Sequence, residues 1–238
     1  MRPVLLLTAT ITPSAGVPSL TRTDPAVRAL DYLEALRFYL PMIGPTFKGI
    51  VFAENSASDM SGLRDLAKGN AVEFVSTTQS HPAEYGRGYG EVRLIQIAMQ
   101  QAKMLQTARL IWKCTGRYKL LNIEQLVLTR PQCDLYVHCR NFPQRWADMF
   151  AIAFNRRGYS VLSKCHERLR GDGGATAISA ETAFRDVVDE VGIQVCKRFK
   201  HVPIIEGVRG YDNKSYGDQG GKLMVRQVLN RLAPMLWI

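Results

Sequence analysis

The sequence predicts an α/β fold, a mostly parallel sheet flanked by helices within a single domain. Three observations point there. Apolar segments of strand length alternate with longer amphipathic segments through the first half of the chain, the pattern of β-loop-α units joined by right-handed crossovers. The strand segments are apolar without strict alternation, as expected where both faces are covered. The 238 residues, 46% hydrophobic and 22% charged, are enough for one shared core and too apolar for a disordered chain.

Pro3–Thr12 (PVLLLTATIT) is the first strand, β-branched, apolar and bounded by prolines. After a turn-rich loop, Asp24-Pro25 sets an acidic N-cap and a proline at the first helical position. Val27, Leu30, Tyr32, Leu33, Leu36 and Leu40 give that helix an apolar face, and Pro41 and Gly44 stop it. Phe47–Ala53 is the second strand, Met60–Lys68 a short helix closed by Gly69-Asn70, and Ala71–Thr77 the third strand. A loop rich in Gly and Tyr precedes a helix over Glu91–Leu105, and Arg109–Lys113 is the fourth strand.

The second half is less regular. Cys133–Cys139 alternates like a strand, and Met149–Phe154 fits strand or helix equally. Gly171–Gly174 (GDGG) is a loop. Ser179 caps a helix expected to run to Phe199. Val202–Ile205 is a short strand, Glu206–Gly221 a polar glycine-rich loop, and Lys222–Ile238 an amphipathic helix interrupted by Pro234. That last helix packs on the core or lies on an anionic membrane.

Charge and cysteine usage restrict the function classes. A net charge of +10 favours anionic partners: nucleic acid, anionic headgroups or nucleotide phosphates. The five cysteines form no CxxC, and the four histidines form neither HxxxH nor HExxH, so buried free thiols are expected rather than a zinc site. No apolar run approaches the roughly 18 residues of a membrane span, and Val4–Leu7 is too short for a signal-peptide core. The expectation is a cytoplasmic protein.

In open α/β sheets ligands bind beyond the carboxyl ends of the strands. Strand one leads to Thr10, Thr12, Arg22, Asp24 and Arg28, and strand two to Glu54-Asn55-Ser56. Strand three leads to GRGYGE, with Gly88, Tyr89 and Gly90, and strand four to Lys113, Thr115, Gly116, Arg117 and Tyr118. The glycines of GRGYGE let a backbone approach an anion at a helix N-terminus, or merely form a flexible turn. Lys113 and Arg117 hold a diphosphate, or sit in a solvated turn. Glu54 and Asn55 bind ribose or base, or only shape their turn. Tyr32 reads as core.

The combination of a TATITP first strand, RxDPxxRxxDY at Arg22–Tyr32, ENS, GRGYGE and K-x-TGRY resembles bacterial surface-polysaccharide (capsule and O-antigen) glycosyltransferases of GT-A type. A thinner resemblance continues at Ile205–Tyr216. It implies a GT-A-like, Rossmann-type single domain over 1–238. Within it, 1–130 binds a nucleotide-sugar donor, and 131–238, with the C-terminal helix, binds a glycan or lipid-linked acceptor. It also implies peripheral contact with the inner face of the cytoplasmic membrane. The family pattern places Asp-x-Asp after the fourth strand to hold a divalent metal. This chain has no DxD and carries Thr-Gly-Arg there, so no cofactor and no metal-binding residues are expected. Arg117, helped by Lys113, then stabilises the leaving nucleoside diphosphate. An inverting transferase needs a general base. Glu181 at a helix start is the first candidate, Asp172 the second and Asp148 the third, although the helix dipole alone favours an acid at Glu181. The competing readings are a basic nucleic-acid-binding protein, against which no basic aromatic stripe counts, and a nucleotidyltransferase, which normally uses paired carboxylates on metal ions.

Overall fold

A computed structural model describes residues 2–17, 20–78, 81–82, 85–142, 144–171, 179–216 and 220–232. The first strand, β1 (Val4–Ala9), is buried at all six positions, so it must lie inside a sheet covered on both faces. It pairs in parallel with β2 (Gly49–Glu54) on one side and β4 (Ile111–Thr115) on the other, and β3 (Val72–Ser76) extends the sheet beyond β2. The register sets Thr8 beside Thr115 and Ala9 beside Glu54. The residues that follow these strands therefore emerge along one edge.

The segment 149–154, ambiguous in sequence, belongs to a strand, β7 (Trp146–Phe154). It runs antiparallel between β4 and β6 (Leu135–Arg140), and β8 (Val195–Cys196) adds in parallel to β6, giving the order β3-β2-β1-β4-β7-β6-β8. The antiparallel insertion matters for function. It turns the start of β7, with Trp146 and Asp148, toward the same edge as the ends of β4 and β6, where Arg140 sits opposite Trp146. This is an α/β domain with a mostly parallel seven-stranded sheet flanked by helices.

One face of the sheet is covered by α1 (Pro25–Tyr39), α2 (Ser61–Leu66) and α5 (Ile123–Leu128), whose side chains pack on Leu5, Leu7, Phe52 and Trp112. Asp24 caps α1 by accepting from the amides of Ala26 and Val27, a contribution of about 1 kcal/mol. Leu30, assigned to the apolar face of this helix from sequence, is instead exposed. The other face carries α3 (Gly86–Gln101), α4 (Lys103–Thr107), α6 (Arg156–Gly171) and α7 (Ala180–Glu190) over Leu6, Val51, Ile152 and Phe154. A two-stranded ribbon of β5 (Lys119–Leu120) and β9 (Ile205–Glu206), and the C-terminal α8 (Gly220–Leu232), complete the described elements.

Several sequence expectations change. GRGYGE is not a loop before the helix: α3 begins at Gly86 and takes it in. A Cβ on Gly88 would stand 2.0 Å from the Cβ of Ala180, so this glycine permits the close crossing of α3 and α7. The helix expected to reach Phe199 ends at Glu190, because Val191 turns to extended backbone and the chain goes on to form β8. Of the strand expected over Val202–Ile205, only Ile205 lies in a strand, β9, and α5 and α6 had no counterpart in the sequence reading. Pro234 and Asp172 lie outside the described residues. No helix among the described residues is long and apolar enough to cross a membrane.

Candidate functional site

A cleft of about 890 Å³ opens along the edge where the strands end. Its floor is a charged cluster. Glu91, in the second turn of α3, brings Oε1 to 2.6 Å from Lys113 Nζ, and the same oxygen accepts from the hydroxyls of Thr8 at 2.8 Å and Thr115 at 3.1 Å. Burial disfavours the Glu91 carboxylate, but Lys113 and the two hydroxyls outweigh it and hold the group below its ordinary range. Lys113 is fully buried and also donates to the carbonyl of Met149 at 2.6 Å. It does not line the cleft, so the donor-binding role expected of it is corrected: it ties β4 to α3 and β7.

The β1 end of the cleft is braced by polar contacts. Thr10 Oγ1 donates to Asn55 Oδ1 at 2.6 Å, and the Thr10 amide donates to the Tyr32 hydroxyl at 2.9 Å. Arg28, buried, donates to the carbonyls of Thr10 and Arg22 and to the Tyr32 hydroxyl. Thr10, Arg28, Tyr32 and Asn55 all face the cleft. Tyr32, read as core, thus belongs to both core and cleft. The Asn55 amide nitrogen has no partner among the described residues, which leaves it as a donor to a ligand. Two other expected donor-site residues are turned away. Arg22 forks onto Asp31 at 2.6 and 2.7 Å. Glu54, fully buried, accepts from the amides of Ile11 and Ser56 and the hydroxyl of Ser56, clamping the β1 and β2 loops together.

At the end of β4, the Gly116 amide donates to Thr8 O at 2.8 Å, and a Cβ there would meet that oxygen at the same distance. Gly116 holds the turn against β1 and contributes no lining. Arg117 and Tyr118 follow into the cleft. The Arg117 guanidinium lies 5.0 Å from the Tyr118 ring centroid, and Nη2 donates to the Tyr118 hydroxyl at 3.0 Å. Its Nε has no partner among the described residues. Gly210 is the wall behind it: a Cβ there would stand 2.6 Å from Nη2. Tyr89 packs its ring against those of His81, Tyr85 and His166 in tilted and edge-on contacts from within α3, and lines the cleft with Gly88 and Gly90.

The opposite wall comes from the second half. Ser179 caps α7 by accepting from the Thr182 amide at 3.1 Å, which presents Glu181 to the cleft in the first turn. No other residue donates a hydrogen bond to the Glu181 carboxylate among those described. Burial pushes its pKa up, and the Glu91 and Asp148 carboxylates push it further. Asp148 is buried, and burial raises its pKa even though Arg140 donates to Oδ2 at 3.0 and 2.8 Å. Glu91, His138, Arg140 and Arg226 line the cleft although the sequence did not mark them as site residues, and Arg226 was expected to face solvent or a membrane surface. The strand-end rule points to Arg140, the residue after Cys139. Arg226 lies mid-helix and has no such signal.

No family model matches the chain, and no curated protein matches it. Solved structures do. The glycosyltransferase GlyE in Streptococcus pneumoniae TIGR4 superposes with a TM-score of 0.51 at 6% identity over 83% of this chain, which spans 45% of that protein. A glycosyltransferase involved in the glycosylation of the major capsid of PBCV-1 gives 0.48 at 10% identity, over 82% of each chain. The nucleoside-diphosphate-sugar pyrophosphorylase from Vibrio cholerae RC9 gives 0.47 at 8% identity, over 82% of this chain and 91% of that one. The fold is thus one shared with a glycosyltransferase of known structure.

Proposed function

We propose that the protein transfers a sugar from a nucleotide-diphosphate donor to a glycan or lipid-linked acceptor in bacterial surface polysaccharide synthesis. The observation that carries this reading is the convergence, on one cleft, of a partly unsatisfied Arg117 from the end of β4 and the half-buried Glu181 carboxylate from the start of α7. The first suits a leaving diphosphate, and the second suits proton removal from an acceptor hydroxyl.

Under this reading the base and ribose lie near Asn55, Thr10 and Tyr32, and the diphosphate reaches Arg117. The acceptor hydroxyl gives its proton to Glu181 as its oxygen bonds to the anomeric carbon. The bond to the diphosphate breaks, and the configuration inverts. A raised pKa suits Glu181 to this role, because a base is most effective when its pKa approaches the working pH. Asp148 is the alternative base, with its lone pairs partly engaged by Arg140.

The described residues at the end of β4 do not favour a protein-held divalent cation at the diphosphate. The turn after β4 offers the cation Arg117 where ligands would be needed, and the nearby carboxylate of Glu91 is already paired with Lys113. Arg117 is therefore assigned the electrostatic role, and transfer should persist in EDTA. The outward side of α8 carries exposed Met224, Val225, Val228 and Leu232, which favours peripheral contact with a membrane and a lipid-linked acceptor. The test is transfer activity across a panel of nucleotide sugars with chelator present. Turnover lost on chelation and restored by manganese would overturn the metal-free part, and no turnover of any nucleotide sugar would overturn the reading itself.

A further inference from the structure

The acceptor wall carries more positive charge than sugar transfer requires. Arg140 at the end of β6, Arg198 after β8 and Arg226 on α8 all act on one buried group, His138. Burial first, and then these three cations, push its imidazole down to about 3. The ring is therefore neutral at ordinary pH. The Phe199 amide donates to its Nδ1 at 3.4 Å, which puts the remaining ring proton on Nε2. His138 lines the cleft as a neutral hydrogen-bond donor.

The counter-charge around this group is incomplete. Asp148 answers Arg140. Arg198 is held by the Asn230 side chain, a neutral partner. Arg226 lines the cleft half-buried, and among the described residues it has no hydrogen bond or ion pair. Burial and the charge of Arg140 act against its guanidinium, and the smaller effect of Asp148 favours it. A guanidinium drawn out of water beside a second guanidinium is poorly placed unless an anion completes the site. Three donors with no free acceptor among them fit a group with several anionic oxygens.

This group is distinct from the end of β4, where Arg117 sits. In the sheet order β6 lies two places from β4, about 10 Å at the usual strand spacing. Resting on the glycosyl-transfer reading, we infer that the acceptor carries a phosphate or diphosphate ester, held by Arg226 and Arg140 with the His138 Nε2–H. The helix geometry agrees. Leu223 and Arg226 face the cleft while Met224, Val225, Val228 and Leu232 face outward. One helix thus joins the anion site to an apolar outer stripe, as a lipid-borne phosphate would need.

The experiment is calorimetric titration of inorganic pyrophosphate into protein saturated with the nucleoside diphosphate it binds most tightly, so that the donor site is filled. One further site is expected. Arg226→Gln should weaken it about tenfold or more, Arg226→Lys should weaken it less, and both should leave nucleoside diphosphate affinity within about twofold. Farnesyl diphosphate or glucose 1-phosphate should displace pyrophosphate from the wild-type protein, and the stronger competitor identifies a lipid or a soluble source. Methyl glucoside should not. Equal pyrophosphate affinity in wild type and Arg226→Gln, or displacement by neither phosphate ester, overturns the inference. Should Arg226→Gln fail to fold, the lysine variant and the wild-type competition still decide it. If no nucleoside diphosphate binds, the donor reading fails by itself, while an Arg226-dependent pyrophosphate site in the free protein would still stand.

Discussion

At the β1–β4 end of the cleft, Lys113 and Glu91 pair at 2.6 Å, Arg22 forks onto Asp31, Arg28 is held by two carbonyls and a hydroxyl, and Glu54 clamps two loops. At the β6–β7–α7 end, Glu181 takes no hydrogen bond from another residue, Asp148 sits with a raised pKa, and Arg226 has no partner among the described residues. The same residue types occupy both walls in different states. Where charges are matched within the protein they fix loop geometry, and only a few residues, such as Arg117 and Asn55, keep donors at the cleft without a protein partner. Where charges are left unmatched, the folded chain holds groups that gain only when substrate arrives. The β1–β4 wall is preorganised by its own ion pairs, and the β6–β7–α7 wall awaits completion.

The sharpest way to break this contrast is to remove the unmatched carboxylate. Glu181→Gln should lower kcat by about 10²–10⁴-fold with little change in nucleoside diphosphate affinity, read by steady-state kinetics beside calorimetry. Near-normal turnover would remove Glu181 as the base. The pH dependence carries the same claim. A base must be deprotonated, so kcat should fall as pH drops through the raised Glu181 pKa. Asp148→Asn removes one of the charges that raises it and should move that acid limb to lower pH.

The matched wall should respond in stability rather than chemistry. Lys113→Met leaves the Glu91 carboxylate partly buried without its cation and should cost about 3–5 kcal/mol in urea unfolding. Adding Glu91→Gln should recover part of the loss, the signature of a coupled pair. Independent, additive effects would mean that the ion pair does not brace the floor.

Most of the first half was legible from sequence because its physics is local. Buried parallel strands read as unbroken apolar runs, and Asp24-Pro25 announces α1. The second half hid behind tertiary choices. The direction of β7 cannot be read from MFAIAF, yet it is what brings Asp148 to the cleft edge. The basic residues Arg156, Arg157, Lys164 and Arg168 masked the stripe of Val161, Leu162, Cys165 and Leu169 that buries α6. The apolar residues after Glu190 continued a helical rhythm that the backbone abandons at Val191. The site followed the same division. Strand ends in the parallel half pointed to Thr10, Asn55 and Arg117, which line the cleft, but could not tell that Lys113 points inward, since a lysine at a strand end looks the same whether its partner is ligand or Glu91.

His138 gives a milder test of the β6–β7–α7 wall. Its folded-state pKa, about 3, lies below the ordinary 6.5. Between those values the unfolded chain binds more protons, so this group makes stability fall as pH drops from about 6.5 toward 3. His138→Phe should flatten that part of the stability profile, a difference on the order of a few kcal/mol at its acid end. An unchanged slope would mean that burial and the surrounding cations do not hold His138 neutral. The smallest expected effect is that of a chelator: activity in EDTA should stay close to the untreated rate.

The central claim is that this cleft binds a nucleoside diphosphate through Arg117. Calorimetric titration of nucleoside diphosphates, with EDTA present, tests it most directly. The account predicts one saturable site for at least one of them, weakened about 10–100-fold in Arg117→Gln. Tight oligonucleotide binding with no response to any nucleoside diphosphate would contradict it.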